Sequence, residues 1–241
     1  MTEPTEDDFL NSLGYGFPEN SYQLGEFKKA FSSYEFKGRV AAIDPEKILQ
    51  SLSSKSVVTR IDYHKRTVLA AEIVHRLHQE WSMGHVKLQK LLYLCQKIGN
   101  MPLHANFLKQ AMGPYDPVMM RSLDKQFKIK KWFDFKHDGK PKYQPLENIG
   151  GHKKWFGVYY AEHLDKIDYL IETFRQTKTD ETELVATIYA CWLSIQENKE
   201  ELSDSLLIQR VYEWSSHKQK FSEDKIIQTI LWMKKEGIRP K

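Results

Sequence analysis

Two stretches decide how this chain is read: VKLQKLLYLCQKI at residues 86–98, and GPYDP at residues 113–117. In the first, Leu88, Leu91, Leu92 and Cys95 recur at i, i+3, i+4 and i+7, the one-sided stripe of a helix docked on a core. Lys87, Gln89, Lys90, Gln96 and Lys97 fill most of the remaining circumference. In the second, Pro114 and Pro117 each pin their own φ and remove an amide donor, so the spacing predicts a fixed turn. Asp116 is placed to cap a helix that opens on Pro117. A rigid turn is a good place to present a binding residue. Tyr115 and Asp116, with Lys87 and Lys90 on the helix before them, are therefore the candidates for contact with a protein partner.

Upstream of this pair, Ala70, Ile73, Val74, Leu77 and Trp81 predict a helix over residues 67–81, broken at Met83 and Gly84. Between the pair, residues 100–102 read as a turn and 104–112 as a short amphipathic helix or irregular run. Downstream, residues 118–127 read as a helix. The period then shifts: Trp132, Phe133 and Phe135, an Asp138–Gly139 centre and Tyr143 predict a β-hairpin over residues 130–145. Pro141 and Pro145 make it an edge ribbon. A helix is expected over 159–174, and three more follow: one from Glu181 through Trp192, one over 206–214 entered from Asp204, and one capped by Ser222 that stops at Gly237.

The fold class expected is therefore mainly α-helical with a small β-hairpin (α+β). Three segments are expected: an N-terminal arm at 1–62 with a short helix at 44–52, a helical core at 63–178, and a three-helix segment at 179–241. The arm carries Glu3, Glu6, Asp7 and Asp8, then Gly14, Gly16, Pro18 and Gly25, a spacing that supports turns and suits a peptide lying over a surface, its own or a partner's.

An apolar fraction of 41% with 12 Phe, 12 Tyr and 6 Trp is that of a folded chain, not a disordered one. There is no basic-then-apolar signal segment and no apolar run of bilayer length, so a cytoplasmic protein with no membrane contact is expected. Cys95 and Cys191 both sit in apolar helical patterns and read as buried free thiols. The net charge of +4 is modest, but residues 124–142 alone hold seven Lys against three Asp.

That basic ribbon is the strongest chemical signal. Lys128, Lys130, Lys131, Lys136, Lys140 and Lys142 could rest on a phosphate backbone, with Trp132 or Tyr143 beneath. The patch lacks arginine, the commonest reader of guanine edges, so little base specificity is expected. The segment Gly150, Gly151, His152, Lys153 and Lys154 is a second place where phosphate could bind. A zinc set built on His75 and His78 with Glu72 and His85 matches no standard ligand spacing. No nucleophile–histidine–carboxylate constellation is legible. No enzyme, metal or cofactor is expected; a hydrolase or nuclease of unknown type stands as the third reading, behind protein contact and nucleic-acid binding.

KLQKLLYLCQ at residues 87–96 followed by GPYDP resembles the hallmark pair of the Panacea, or SocA-like, antitoxin domain family. KRTVLAAEIVHRLH at 65–78, GGHKKWF at 150–156, ELVATIYACW at 183–192 and ILWMKKEGIRP at 230–240 together resemble a C-terminal module attached to specificity subunits of type I restriction–modification systems. The likeness runs from about Lys65 to the end of the chain. It implies a compact helical module of phage defence or toxin control that works through protein contacts, its partner a toxin or a restriction–modification subunit. DNA is the other partner considered. Residues 1–64 are too few for a pair of DNA target-recognition domains, which implies an accessory piece rather than the reader of a site. Leu94 and Cys95 stand where the commoner family pattern has a second aromatic and a small residue.

Overall fold

The computed structural model describes residues 59–137 and 141–240, which lie within one compact unit spanning 58–241. The arm, its helix at 44–52, the hairpin centre and Lys140 lie outside the described residues. In chain order the elements are α1 (Arg60–Leu77), α2 (His85–Lys97), β1 (Leu108–Gln110), β2 (Gly113–Tyr115), α3 (Pro117–Ile129), β3 (Phe133–Lys136), β4 (Lys142–Pro145), α4 (Lys153–Tyr159), α5 (Leu164–Phe174), α6 (Thr179–Glu197), α7 (Asp204–Trp214) and α8 (Glu223–Lys235). Short 3-10 turns at Ala161–His163 and Ser216–Lys220 join α4 to α5 and α7 to α8. The fold is mainly helical, with two small antiparallel sheets, β1–β2 and β3–β4.

Helices α1, α2 and α6 form the middle of the unit. Helix α1 packs on α4, α2 and α3, and α2 packs on α6 and α5, while α6 receives α7, α8 and β2 on its other sides. Eight consecutive residues of α6, Thr182 to Tyr189, are buried, which a helix covered from several directions requires. Helix α1 begins about two turns before the apolar pattern predicts. Thr59 accepts from the Asp62 amide, and the Asp62 carboxylate accepts from the Thr59 amide at 2.8 Å, closing a capping box.

Two expectations are corrected. Residues 104–112 hold no helix: β1 pairs with β2 in the register Leu108 with Tyr115, Lys109 with Pro114 and Gln110 with Gly113. The first three residues of GPYDP are thus a strand rather than a turn, entered through Gly113 at φ +90°, a conformation open to glycine. Residues 159–174 are not one helix either. The Tyr160 backbone leaves the helical region, while its buried ring sends the hydroxyl to the Lys65 carbonyl at 3.0 Å. This anchor separates α4 from α5. The predicted hairpin is present, with Phe135 opposite Tyr143. So is α3, whose N-cap Asp116 accepts from the Met119 amide.

Candidate functional site

Three polar residues of α2 point inward. Lys87, Gln89 and Lys90 are fully buried, so Lys87 and Lys90 are not available as surface contacts. Lys87 Nζ donates to Ser82 Oγ (2.8 Å) and to the carbonyls of Arg175 (3.0 Å) and Thr177 (2.8 Å), clamping the end of α5. Gln89 exchanges two hydrogen bonds with the Asp116 backbone, giving to its carbonyl at 2.9 Å and receiving from its amide at 3.2 Å. Lys90 Nζ donates to the Pro114 carbonyl at 2.7 Å. Gln96 makes a similar double bond to the Ala105 backbone. These side chains supply partners that buried backbone groups need. Burial holds the ammonium of Lys87 down to about 8 and that of Lys90 to about 7.

Asp116 is also buried and fully used: Oδ1 receives the Met119 amide (2.8 Å) and Oδ2 the Asn106 amide (2.9 Å). Of the four candidates for protein contact, Tyr115 alone keeps an exposed fraction, with the Lys90 ammonium 5.7 Å from its ring centre. A Cβ on Gly113 would stand 2.7 Å from Thr187 Oγ1 and 3.4 Å from Lys90 Cε. Helix α6 and Lys90 therefore grip this strand from both sides. Next to them Glu183, wholly buried, is bonded by the buried Lys218 ammonium and by Lys220 at 3.3 Å.

The lysine candidates divide into two groups. On the hairpin, Asp134 binds Lys136 at 2.6 Å and Lys128 at 3.7 Å, and Glu147 binds Lys131 at 2.7 Å. Lys142 is exposed on β4. Trp132 and Tyr143 are buried, so they support the ribbon and do not face a ligand. The second group gathers around α4. Lys154 and Lys153 are exposed, and Lys154 Nζ lies 5.3 Å from the Trp155 ring centre. Lys65 Nζ lies 5.8 Å from that of Tyr159, and Lys130 Nζ 5.4 Å from that of Trp132. His64 Nδ1 and the Tyr159 hydroxyl are 3.0 Å apart. Burial, then the charges of Lys130 and Lys154, bring His64 down to about 3.

The histidines do not assemble a metal centre, and no group of three or more His, Cys, Asp or Glu able to hold a metal ion is found among the described residues. Glu72 is taken by His152, whose Nε2 lies 2.8 Å from its Oε2. His152 is fully buried, not part of an open polar loop, with Trp132 edge-on to its ring at 5.5 Å. His78 turns back on the His75 carbonyl at 2.9 Å. His85 stacks on Phe135 at 3.5 Å and binds Asp124. His75 and His78 are half-buried rather than surface groups. Both thiols are buried and pushed up to about 12.

Two adjoining cavities, about 560 Å3 and about 270 Å3, make a groove whose smaller part reaches the gripped strand at Pro114. Lys97, Leu193 and Glu197 line both parts. Its walls include Tyr189 and Arg239 in the larger part, and Tyr93, Phe107, Pro114 and Trp214 in the smaller. No helix among the described residues is long and apolar enough to cross a membrane.

Sequence reading missed the groove, the inward lysines and the Glu72–His152 and Glu183–Lys218 pairs. The pairs join residues 80 and 35 positions apart, and no local spacing reports such a distance. No protein-family model matches the chain, and no curated protein matches it.

Proposed function

We propose that this chain is a non-catalytic protein-interaction module of a prokaryotic defence system, either antitoxin-like or accessory to a type I restriction–modification complex. The motif resemblance supplies the biological setting. The observation that carries the binding role is the groove beside the clamped strand. Pro114 belongs to both: its carbonyl is held by Lys90, and the residue lines the smaller cavity. A concave surface with aromatic walls on a rigid frame suits a segment of a partner protein better than a flat charged face does. Lys97 and Arg239 against Glu197 give the rim both signs of charge, which sets the orientation of a bound segment.

Co-expression of the full chain with each product of the neighbouring genes tests this reading. A stable complex that survives purification and is lost in Leu193→Asp supports it. No complex with any neighbour, or one indifferent to Leu193→Asp, overturns the groove as the contact.

A second reading, a regulator that binds nucleic acid, is favoured by the lysines gathered on α4 and disfavoured on the ribbon. Acidic neighbours already occupy Lys128, Lys131 and Lys136, and a phosphate would have to displace them.

A further inference from the structure

We propose that the outer edge of β1 takes up an extended segment of the partner protein as a further strand, with an apolar side chain facing the smaller cavity and a carboxylate beside Lys109. The proposal rests on the groove as the contact surface and specifies the form and chemistry of what enters it. The first argument is backbone hydrogen bonding. Pro114 has no N–H, so its pair with Lys109 is the unbonded kind, and the ladder bonds belong to Leu108–Tyr115 and Gln110–Gly113. Planar trans peptides then turn the Phe107 carbonyl and both backbone groups of Lys109 away from β2. The same alternation turns the Pro114 carbonyl and the Asp116 amide away from β1, and there Lys90 and Gln89 take them.

The two edges of the ribbon therefore differ. The β2 edge is closed by α2. On the β1 edge, Gln96 bonds both backbone groups of Ala105, and Ser215 Oγ donates to the Ala111 carbonyl at 2.9 Å. Between these closed ends, no described group bonds the Phe107 carbonyl or the backbone of Lys109. Successive unbonded groups on a sheet edge are a template for an added strand.

The second argument is the side chains that flank the edge. Residues two apart in a strand share a face. Phe107 meets Tyr93 edge-on at 5.2 Å and lines the smaller cavity with Pro114, Leu193 and Trp214. Lys109 is on that face too, its Nζ 5.3 Å from the Trp214 ring centre. A residue paired with Phe107 thus faces the cavity, and one paired with Lys109 faces the ammonium. Lys109 Nζ donates to the Glu213 carbonyl at 3.3 Å, while the Glu213 carboxylate is engaged by Arg210. In the larger cavity Lys97 and Arg239 outnumber Glu197, so the complementary occupant carries net negative charge.

An edge lysine deters indiscriminate pairing, and a carboxylate beside it removes the deterrent. A second copy of this chain fits poorly, because pairing β1 with itself about its centre sets Lys109 opposite Lys109. An antiparallel strand, the more stable kind, then reads acid, any residue, apolar residue from its N-terminus.

The experiment is fluorescence anisotropy of the full chain with the labelled peptide acetyl-Ser-Thr-Glu-Thr-Phe-Thr-Ser-amide and its mono-N-methylated forms. Methylation at the peptide's Glu or Phe, whose N–H groups meet the Lys109 and Phe107 carbonyls, is expected to weaken binding at least about tenfold. Methylation at the threonine between them, whose N–H points away, is expected to stay within about twofold. Replacing the peptide's Glu by Gln is expected to cost about two- to fivefold. In the chain, Lys109→Pro removes the outward N–H and spares the β1–β2 bonds, so it should weaken binding at least about threefold more than Lys109→Gln. No binding at millimolar peptide, or binding indifferent to methylation at Glu and Phe, overturns the added strand. Self-association of the chain that the peptide reverses also overturns it and assigns the edge to a second copy. A neighbour-gene complex lost in Leu193→Asp but kept in Lys109→Pro overturns the strand and leaves the groove standing. A complex indifferent to both variants overturns the groove reading as well.

Discussion

The Lys90 ammonium donates to the Pro114 carbonyl at 2.7 Å, and both residues are buried. The stretches at 86–98 and 113–117 are therefore one structural object. The helix is not merely near the strand; its polar side chains complete the strand's backbone hydrogen bonding. This relationship has a pH signature. The unfolded chain takes up a proton at lysine well above the folded values of about 7 for Lys90 and about 8 for Lys87. Between those values and about 10.4 the unfolded state binds more protons, so stability rises with pH. The two buried thiols act in the opposite sense. They ionise in the unfolded chain near 8.5 but only near 12 when folded, so stability falls above that point. Thermal melts are expected to improve from pH 7 to about 9 and then to decline. In Lys90→Met the rise should shrink, and an unchanged rise would exclude Lys90 as its source.

Gly113→Ala is expected to be costly for two separable reasons. The residue sits at φ +90°, and its new methyl would stand 2.7 Å from Thr187 Oγ1. Together these amount to about 2–4 kcal/mol by urea denaturation. Adding Thr187→Ala should recover the steric share and leave the backbone share. Full recovery, or none, would contradict this division.

Asp116→Asn distinguishes a frame residue from a contact residue. The carboxylate accepts amides on both oxygens, and an amide side chain can accept on only one. The remaining N–H would face the Asn106 N–H, a mismatch of about 1–3 kcal/mol. Stability measured by denaturation should fall while the chain stays monomeric or complexed as before. A variant of native stability that loses a partner would restore Asp116 as a contact.

Glu72 and His152 make a buried pair whose disruption is expected to show in acid. Burial raises the Glu72 carboxyl, and the His152 hydrogen bond and charge outweigh that rise, leaving it below its ordinary value. A lowered carboxyl stabilises the fold above its ordinary value near 4.3 and loses that contribution as pH falls. Glu72→Ala is expected to cost about 1–3 kcal/mol near neutrality, because it strands a buried polar ring. It should also flatten the loss of stability below about pH 4.5. Acid unfolding by circular dichroism reads both effects.

Most helices were legible because their stripes and caps are local. Asp116, Ser203 and Ser222 each cap the helix that follows, a relation within three residues. The β1–β2 ribbon was hidden because its three-residue strands carry no alternation: Leu108, Lys109 and Gln110 are all exposed. The break at Tyr160 was hidden because its cause is a carbonyl 95 positions away. Lysine burial misled in the same way. A long side chain at a polar position of a helix normally reaches water, and only the neighbouring carbonyls decide otherwise. On the hairpin the lysines are legible in the sequence but their pairing is not, since Asp134 serves two of them.

The buried Glu183–Lys218 contact also constrains the order of assembly. The cation that neutralises Glu183 is supplied 35 residues later, from the turn between α7 and α8. A chain growing from its N-terminus cannot complete the burial of α6 before that turn has emerged, because an unpaired carboxylate in the interior is strongly unfavourable. The last helices thus license the centre of the protein instead of decorating it. A nascent chain halted before Lys218 is expected to hold α6 loosely, which makes the emergence of that turn the moment at which the clamped strand and the helix beneath it become one rigid surface.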